Sequence, residues 1–193
     1  MKAYLAVGVF ILACLTLNMS FISCSPKRVV RGRVVDAETQ QPIKGAAVAI
    51  RWYTDNSEQH PAKTGTYDAV QALSDANGVF RIPQYPGKKY SLGVYKNGYI
   101  CWSSRDIFSI KPGSHGLDPY RKRKDYRISE GMQIDLNPLR NGHPRDLHAG
   151  FTMMVAGEST DTDGGPFHQA IQSEYQLWRE NLRKDFQKQV GSK

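Results

Sequence analysis

The 193-residue chain has few of the residues that reactive centres require. It contains only three cysteines, and its five histidines form no zinc motif of the His-Glu-x-x-His kind. His143 and His148 are the closest pair, but Pro144 between them makes it unfavourable for both to lie on the same face of one helix. Phosphate-binding Gly-Lys-Ser/Thr loops and Gly-x-Ser-x-Gly nucleophile turns are missing as well. These absences predict a protein with no catalytic residues, no bound metal and no cofactor.

Two acidic stretches superficially resemble calcium loops, at residues 159–165 and at Asp75. An EF-hand loop needs a glutamate at its twelfth position. That position is occupied here by Gln172 and Pro86, respectively. We therefore interpret the first stretch as a polar linker and the second as a hairpin turn.

Long apolar runs are also scarce, and the clearest one lies at the N-terminus. Residues 1–23 begin with Lys2 and then continue without charge as far as Lys27. A basic start followed by an apolar stretch is the layout of a secretory signal. We therefore predict a signal peptide over residues 1–23 and a protein that works outside the cytoplasm, where nucleic acid is not an expected partner.

The end of this segment, Phe-Ile-Ser-Cys, resembles a bacterial lipobox with Cys24 as the lipidated residue. The resemblance implies that Cys24 becomes the first mature residue and ties the protein to a membrane of the bacterial envelope. Ser25 after the cysteine implies the outer membrane. Cys14 is an alternative lipidation site, and an uncleaved anchor helix of about 20 residues is a second alternative.

Short β-branched and aromatic runs separated by turn signals follow. The Asn-Gly pair in Asp75–Gly78 tolerates the positive φ that a tight hairpin needs. The pattern predicts an antiparallel β-sandwich of about seven strands, with one buried and one solvent-facing side per sheet. We place this mainly β domain at residues 24–138, with an insertion at 103–125. The predicted strands are 29–36, 46–54, 67–73, 79–82, 90–95, 99–102 and 132–136.

An extension at residues 139–193 completes the predicted domain organisation. Its first part is rich in glycine and polar residues, with a short strand predicted at Phe151–Val155. Residues 166–190 have apolar side chains at intervals of three or four, which predicts an amphipathic helix. We expect its stripe to pack on the sandwich, and the alternatives are docking on a partner protein or on a membrane surface. The stripe consists of Phe167, Ile171, Tyr175, Trp178, Leu182 and Phe186.

Several short motifs between residues 29 and 102 resemble the carboxypeptidase regulatory-like domain, a transthyretin-like β-sandwich. The family resemblance implies accessory, adhesive or sugar-associated roles and no catalytic residues. Function particular to this chain is then expected in the segments that depart from the family: 55–66, 103–125 and the tail after 138. The motifs are Val30-x-Gly32-x-Val34-x-Asp36, Gln41-Pro42-Ile43-x-Gly45, Ser74 to Ile82, Tyr90-x-Leu92-x-Val94, Gly98-Tyr99 and the closing Ile134-x-Leu136.

The formal net charge of +8 favours anionic partners. Its densest cluster is the candidate anion contact, Arg121, Lys122, Arg123 and Lys124. Trp52 and Tyr53 are candidates for a sugar-binding face, although adjacent strand residues point to opposite faces and only one should be exposed. Cys101, next to Trp102, is predicted to be a buried and inert thiol.

The sequence thus predicts a non-catalytic envelope lipoprotein that acts as a binding or scaffolding module. One alternative is a carbohydrate- or cell-wall-binding module, which would need an exposed aromatic pair among Trp52, Tyr53, Tyr95 and Trp102. The other is a docking subunit of an envelope secretion or transport complex. That function would need an exposed apolar stripe on the C-terminal helix.

Overall fold

The computed structural model describes residues 28–54, 65–105, 127–161 and 164–191. The predicted signal peptide, both lipidation candidates Cys24 and Cys14, and the basic cluster Arg121–Lys124 lie outside these residues. The proposed domain limits are likewise untested and stay predictions.

Seven strands form two sheets in the described part of the chain, which confirms the predicted sandwich. The first sheet has the order β4-β1-β7 and the second β3-β2-β5-β6. β7 pairs parallel to β1, with Val34 opposite Ile134, whereas the sequence pattern predicted antiparallel strands throughout. The strands are β1 (Arg28–Asp36), β2 (Ala47–Tyr53), β3 (Thr66–Leu73), β4 (Val79–Gln84), β5 (Tyr90–Tyr95), β6 (Trp102–Ser103) and β7 (Met132–Leu136).

The main core lies between the two sheets and is built by alternate residues of each strand. Along β1, Val30 and Val34 point inward and are fully buried, while their neighbours Val29 and Arg31 are exposed. Phe80 from β4 lies against Gly32, where an added Cβ would come within 2.4 Å of the ring. Glycine is therefore needed at position 32 to admit the phenyl ring.

Three helices follow the last strand: α1 (Arg145–Ser159), α2 (Pro166–Ala170) and α3 (Gln172–Gly191). The strand predicted at Phe151–Val155 is wrong, because these residues lie in α1. A short apolar run does not distinguish a strand from a buried helix segment. The spacing over a longer stretch does distinguish the two. Phe151, Val155 and Ser159 recur about one helical turn apart, and all three are fully buried.

The helices cover the outer face of the second sheet, so both faces of that sheet are buried. α1 contacts β2 and β5, and α2 contacts β2 and β3. β2 is accordingly buried along nearly its whole length. The prediction of one solvent-facing side therefore fails for this sheet. Strands covered on both faces carry apolar residues at successive positions, as Ala47–Ile50 does here.

The predicted helix at residues 166–190 is present, but Ile171 divides it into α2 and α3. Its apolar stripe packs on the sandwich only at the start, where Phe167 and Ile171 are buried in a cluster with Phe151 of α1. Further along, Tyr175, Leu182 and Phe186 are 36%, 51% and 67% exposed. Three of the six residues of the predicted stripe are therefore open to solvent.

We predict that the contact between α1 and the second sheet depends on Gly93 of β5. A Cβ at this position would lie 2.4 Å from Cγ1 of Val155 and 3.1 Å from Oγ of Ser159, and Val155 is fully buried. Gly93→Ala should therefore lower the free energy of unfolding by about 1–3 kcal/mol through overpacking. Urea denaturation measures the change.

Gly157→Ala is the matched control, because nothing lies within 4 Å of a Cβ added at that position of α1. Removing a glycine from a helix should leave stability unchanged or raise it by up to about 1 kcal/mol. Equal effects of the two substitutions would contradict the close-packing role of Gly93.

Candidate functional site

The four aromatic side chains considered for sugar binding are all buried. Trp52, Tyr53, Tyr95 and Trp102 are 2%, 4%, 1% and 8% exposed. Trp52 packs in the main core against Tyr90. Tyr53 points to the other face, as expected, but its hydroxyl donates a 2.7 Å hydrogen bond to the carbonyl of Glu158 in α1. Because helices cover that face, neither residue provides an exposed platform.

The structure does not bring His143 and His148 together. His143 lies before α1, where its Nδ1 accepts a 3.0 Å hydrogen bond from the backbone N–H of Arg140. His148 lies within α1 and is fully buried. The described residues contain no group of three or more histidine, cysteine or carboxylate side chains arranged to hold a metal ion.

Two further residues considered for chemistry, Cys101 and Asp75, have roles in packing and in a turn. Cys101 is buried, as predicted, and burial raises the pKa of its thiol far above the ordinary range. Asp75 accepts hydrogen bonds from the backbone N–H groups of Asn77 and Val79, at 2.8 and 2.9 Å. These bonds hold the predicted hairpin turn, so its carboxylate serves the fold.

A polar cluster that the sequence analysis missed lies between the helices and the second sheet. It is centred on Glu174 of α3, which is 1% exposed. Oε1 lies 3.0 Å from Nη2 of Arg145 and accepts a 3.4 Å bond from the Tyr95 hydroxyl. Oε2 lies 3.3 Å from Nδ1 of His148. The cluster therefore connects α3 to the start of α1 and to the end of β5.

The backbone fixes the tautomer of His148. The N–H of Cys101 donates a 3.1 Å hydrogen bond to Nε2 of His148, so this nitrogen carries a lone pair. The proton of the neutral ring is then on Nδ1, which faces the Glu174 carboxylate. Both hydrogen bonds to the buried carboxylate, from Arg145 and Tyr95, reach Oε1, whereas Oε2 and Nδ1 of His148 lie 3.3 Å apart without hydrogen-bond geometry.

The surroundings shift two pKa values in the cluster. Burial raises the pKa of Glu174, but the N–H of His148 and the guanidinium of Arg145 outweigh burial and hold this pKa below 4.5. Burial, with the nearby negative charge of Glu174, raises the pKa of Tyr95 to about 12. At neutral pH the cluster therefore holds an ionised Glu174 and a protonated Tyr95.

A groove lies on the outer side of the helical layer, separate from this buried cluster. It consists of two adjoining depressions of about 690 and 390 Å³ that share Met153 of α1 and Trp178 of α3. Tyr175 stands beside Trp178 in the larger depression, with ring centroids 6.1 Å apart. Other lining residues include Arg51, Gly157 and His168 in the larger depression, and Leu147, Gly150 and Met154 in the smaller.

The exposed stripe of α3 continues this groove. Glu174 and Asn181 face the sandwich side, the latter through a 2.7 Å bond to Asp146. Tyr175 and Leu182 each follow one position later, which places them about 100° around the helix. The apolar stripe and the packed face of α3 are therefore different faces that meet at Trp178, which lines both depressions.

The relatives of the sandwich can be identified from its sequence. Residues 29–114 match the profile of the family described as the carboxypeptidase regulatory-like domain. Residues 29–114 belong to a carboxypeptidase regulatory-like domain. The match contains β1 to β6, while the helical layer lies beyond it. No curated protein sequence matches the chain.

Solved structures with a similar arrangement share little sequence with this chain. A streptococcal ancillary pilin is 15% identical over 60% of this chain and 30% of its own, with a TM-score of 0.34. Catechol 1,2-dioxygenase from Pseudomonas arvilla C-1 is 14% identical over 63% and 56%, with a TM-score of 0.37. An intradiol ring-cleavage dioxygenase from Tetranychus urticae is 20% identical over 59% and 82%, with a TM-score of 0.33.

This chain spans well under two thirds of the length of the first two of these proteins. At such scores their activities say nothing about that of the carboxypeptidase regulatory-like domain described here. Among the described residues, no helix is long and apolar enough to span a bilayer.

We predict that Glu174 stabilises the helical layer in a pH-dependent way. Its pKa is lower in the folded than in the unfolded protein, so its stabilising effect is present above pH 4.5 and is lost as the pH falls through the folded value. Glu174→Gln should lower the free energy of unfolding at neutral pH by about 1–3 kcal/mol. The difference from wild type should shrink below pH 4.5.

Glu180→Gln is the control for this prediction, because it makes the same change at an exposed position of α3. Urea denaturation over the acid range compares the three proteins. A wild-type advantage over Glu174→Gln that does not change with pH would contradict the electrostatic role of Glu174.

Proposed function

We propose that this protein is a non-catalytic lipoprotein of a bacterial envelope. A lipid on Cys24 would anchor it, and the sandwich would act as a scaffold for docking a partner protein. The observation that carries the proposal is the exposed stripe of α3. Tyr175, Leu182 and Phe186 are 36–67% exposed on a helix whose adjacent face is fixed by the buried Glu174. Contiguous exposed apolar surface is typical of interaction sites.

The buried polar cluster also supports a binding role over catalysis. His148 and Glu174 are the residue types that general acid–base chemistry would use. Both side chains are closed to solvent, at 0% and 1% exposure, and their ring and carboxylate atoms face groups of the protein itself. Their evident role is to hold α1 and α3 on β5.

The path of the chain supports an anchor at one end and a docking surface at the other. β1 begins at Arg28, whose partner Gln84 precedes Tyr85 at the Trp52 end of the sandwich. Three residues separate Cys24 from Arg28, so their Cα atoms can lie at most about 14 Å apart. The lipid would therefore hold the Arg28 end of the sandwich close to the membrane.

α3 runs towards the opposite end. Glu174 meets Tyr95, which pairs with Ala47 at the end of the sandwich remote from Trp52. Asn181 then contacts Asp146 near the start of α1, and α3 continues for ten further residues to Gly191. The exposed stripe would accordingly project away from the anchoring membrane.

A carbohydrate-binding module is the second candidate, and one observation favours it. Although the aromatic side chains considered from the sequence are buried, Tyr175 and Trp178 line the larger depression beside Gln169 and Gln172. Aromatic rings next to amide groups suit a cell-surface glycan. A glycan partner, like the anion contact at Arg121–Lys124, remains a prediction.

The anchor is tested by the mass and membrane partition of the full chain expressed in a bacterial host. The wild-type protein should carry an acyl modification on Cys24 and remain in the membrane fraction. Cys24→Ala should abolish the acyl modification, because it removes the only thiol at the predicted cleavage site. Cys14→Ala is the control and should change neither. An unmodified Cys24 in a wild-type protein released to the medium would contradict the proposal.

A further inference from the structure

We propose that the larger depression on the helical layer binds a neutral oligosaccharide, with one sugar ring stacked on Trp178. The proposal rests on the second candidate function above, the carbohydrate-binding module, and gives it a site and a class of ligand. All residues that line the depression except Arg51 lie beyond residues 29–114, which match the family profile. Leu182 and Phe186 of the exposed stripe do not line it, so the site can be tested separately from docking of a partner protein.

The depression has the size of a small-molecule site. Its volume of about 690 Å³ lies within the range of about 300–1,000 Å³ that ligand pockets occupy. Gly157 of α1 keeps one wall open, because no atom lies within 4 Å of a Cβ added there. The smaller depression adjoins at Met153 and Trp178. A linear chain of sugars can therefore continue from one depression into the other.

The polar lining of the larger depression favours a neutral ligand. Arg51 and Asp161 both line it, so an anion would meet a carboxylate and a cation would meet a guanidinium. Gln169 and Gln172 add two side-chain amides, and each amide both donates and accepts hydrogen bonds. Hydroxyl groups also donate and accept, so a ligand rich in hydroxyls can pair with all four side chains.

Arg51 is held in place by the protein itself. Its Nη1 donates a 2.8 Å hydrogen bond to the carbonyl of Thr160, and Nη2 donates a 3.4 Å bond to the hydroxyl of Tyr53. The guanidinium also lies 5.1 Å from the centroid of the Tyr53 ring. No carboxylate of the described residues forms an ion pair with it. A guanidinium fixed in this way loses little freedom when it donates a further hydrogen bond to a ligand.

Trp178 is the aromatic ring that is available for stacking. Trp52 and Trp102 are buried in the main core, whereas Trp178 is half-buried and lines both depressions. Tyr175 stands beside it, but the guanidinium of Arg179 lies 5.5 Å from the centroid of the tyrosine ring. A sugar ring has C–H groups on its faces and hydroxyls around its edge. Its face would contact Trp178 while its hydroxyls reach the polar side chains.

An apolar segment of a partner protein suits the larger depression less well. It would cover Arg51, Asp161 and the two glutamines without offering them hydrogen-bond partners. Polar groups removed from water in this way oppose binding. In the smaller depression, Asp146 already accepts a 2.7 Å bond from Asn181, so its carboxylate makes no such demand. A ligand with its own hydroxyl groups avoids the loss.

The test measures the binding of tetrasaccharides to the full chain by calorimetry and by tryptophan fluorescence. The chain is purified in a detergent without a sugar head group, so the result does not depend on acylation of Cys24. The neutral probes are maltotetraose, cellotetraose and chitotetraose. Tetragalacturonate is the anionic comparator, and tetraglucosamine in mildly acidic buffer is the cationic one.

We expect at least one neutral tetrasaccharide to bind and to shift the emission of Trp178 to shorter wavelength. Both charged comparators should bind about tenfold more weakly or not at all. Trp178→Ala should weaken binding of the neutral probe about tenfold or more, because the stacking surface is lost. Leu182→Glu/Phe186→Glu should leave the affinity unchanged, since neither residue lines the depression.

Gly157→Leu is a second variant that does not remove a partly buried ring. It should abolish binding by filling the depression, and the fold should persist because an added Cβ meets no atom within 4 Å. Gly142→Leu is the matched control, since it makes the same change at an exposed turn that lines neither depression. Urea denaturation of each variant checks that it is folded.

Three results would overturn the proposal, and each has a different consequence. Failure of all three neutral probes to bind would remove both the site and the carbohydrate-binding module, without bearing on docking at the stripe. Binding that persists in both Trp178→Ala and Gly157→Leu would keep the module but remove the site. Equal or tighter binding of a charged comparator would remove the neutral class of ligand.

Discussion

The position of α3 depends on how the protein accommodates the buried charge of Glu174. A carboxylate removed from water must find donors for its oxygens, since an unpaired buried charge is costly. Arg145 and Tyr95 approach one oxygen, and His148 faces the other. These partners come from α1 and β5, so the helix has one orientation in which its charge is satisfied. That orientation turns Tyr175 and Leu182 towards solvent.

The helical layer also changes the character of the sandwich. Gly93 lets α1 approach β5 closely, and Phe151 and Phe167 fill the space over the second sheet with a second apolar cluster. Surfaces that a two-layer sandwich would expose, such as that of Tyr53, are thereby covered. The surface open to solvent on this side is therefore the outer side of the helices, where Trp178 and the methionines of α1 lie.

Much of the fold could be predicted from sequence because its signals are local. The alternation around Val30 and Val34 and the hairpin at Asp75 depend on residues adjacent in the chain. α1 was missed because its apolar run is short and two glycines lower its helical propensity. The cluster around Glu174 was missed because its members lie 79 positions apart between Tyr95 and Glu174, and 26 apart between His148 and Glu174. The one sequence signal for this cluster was Glu174 itself, an ionisable residue among the apolar positions of α3.

The sequence by itself determined the strand pattern, the family of the sandwich and the amphipathic character of the last helix. Each of these follows from the spacing of apolar residues or from turn chemistry, which neighbouring residues specify. Only the tertiary structure decided which face of α3 is packed. Spacing favoured the more apolar face, but Glu174 and Asn181 find their partners on the other one, and a buried carboxylate cannot forgo them. The apolar stripe was left exposed for that reason.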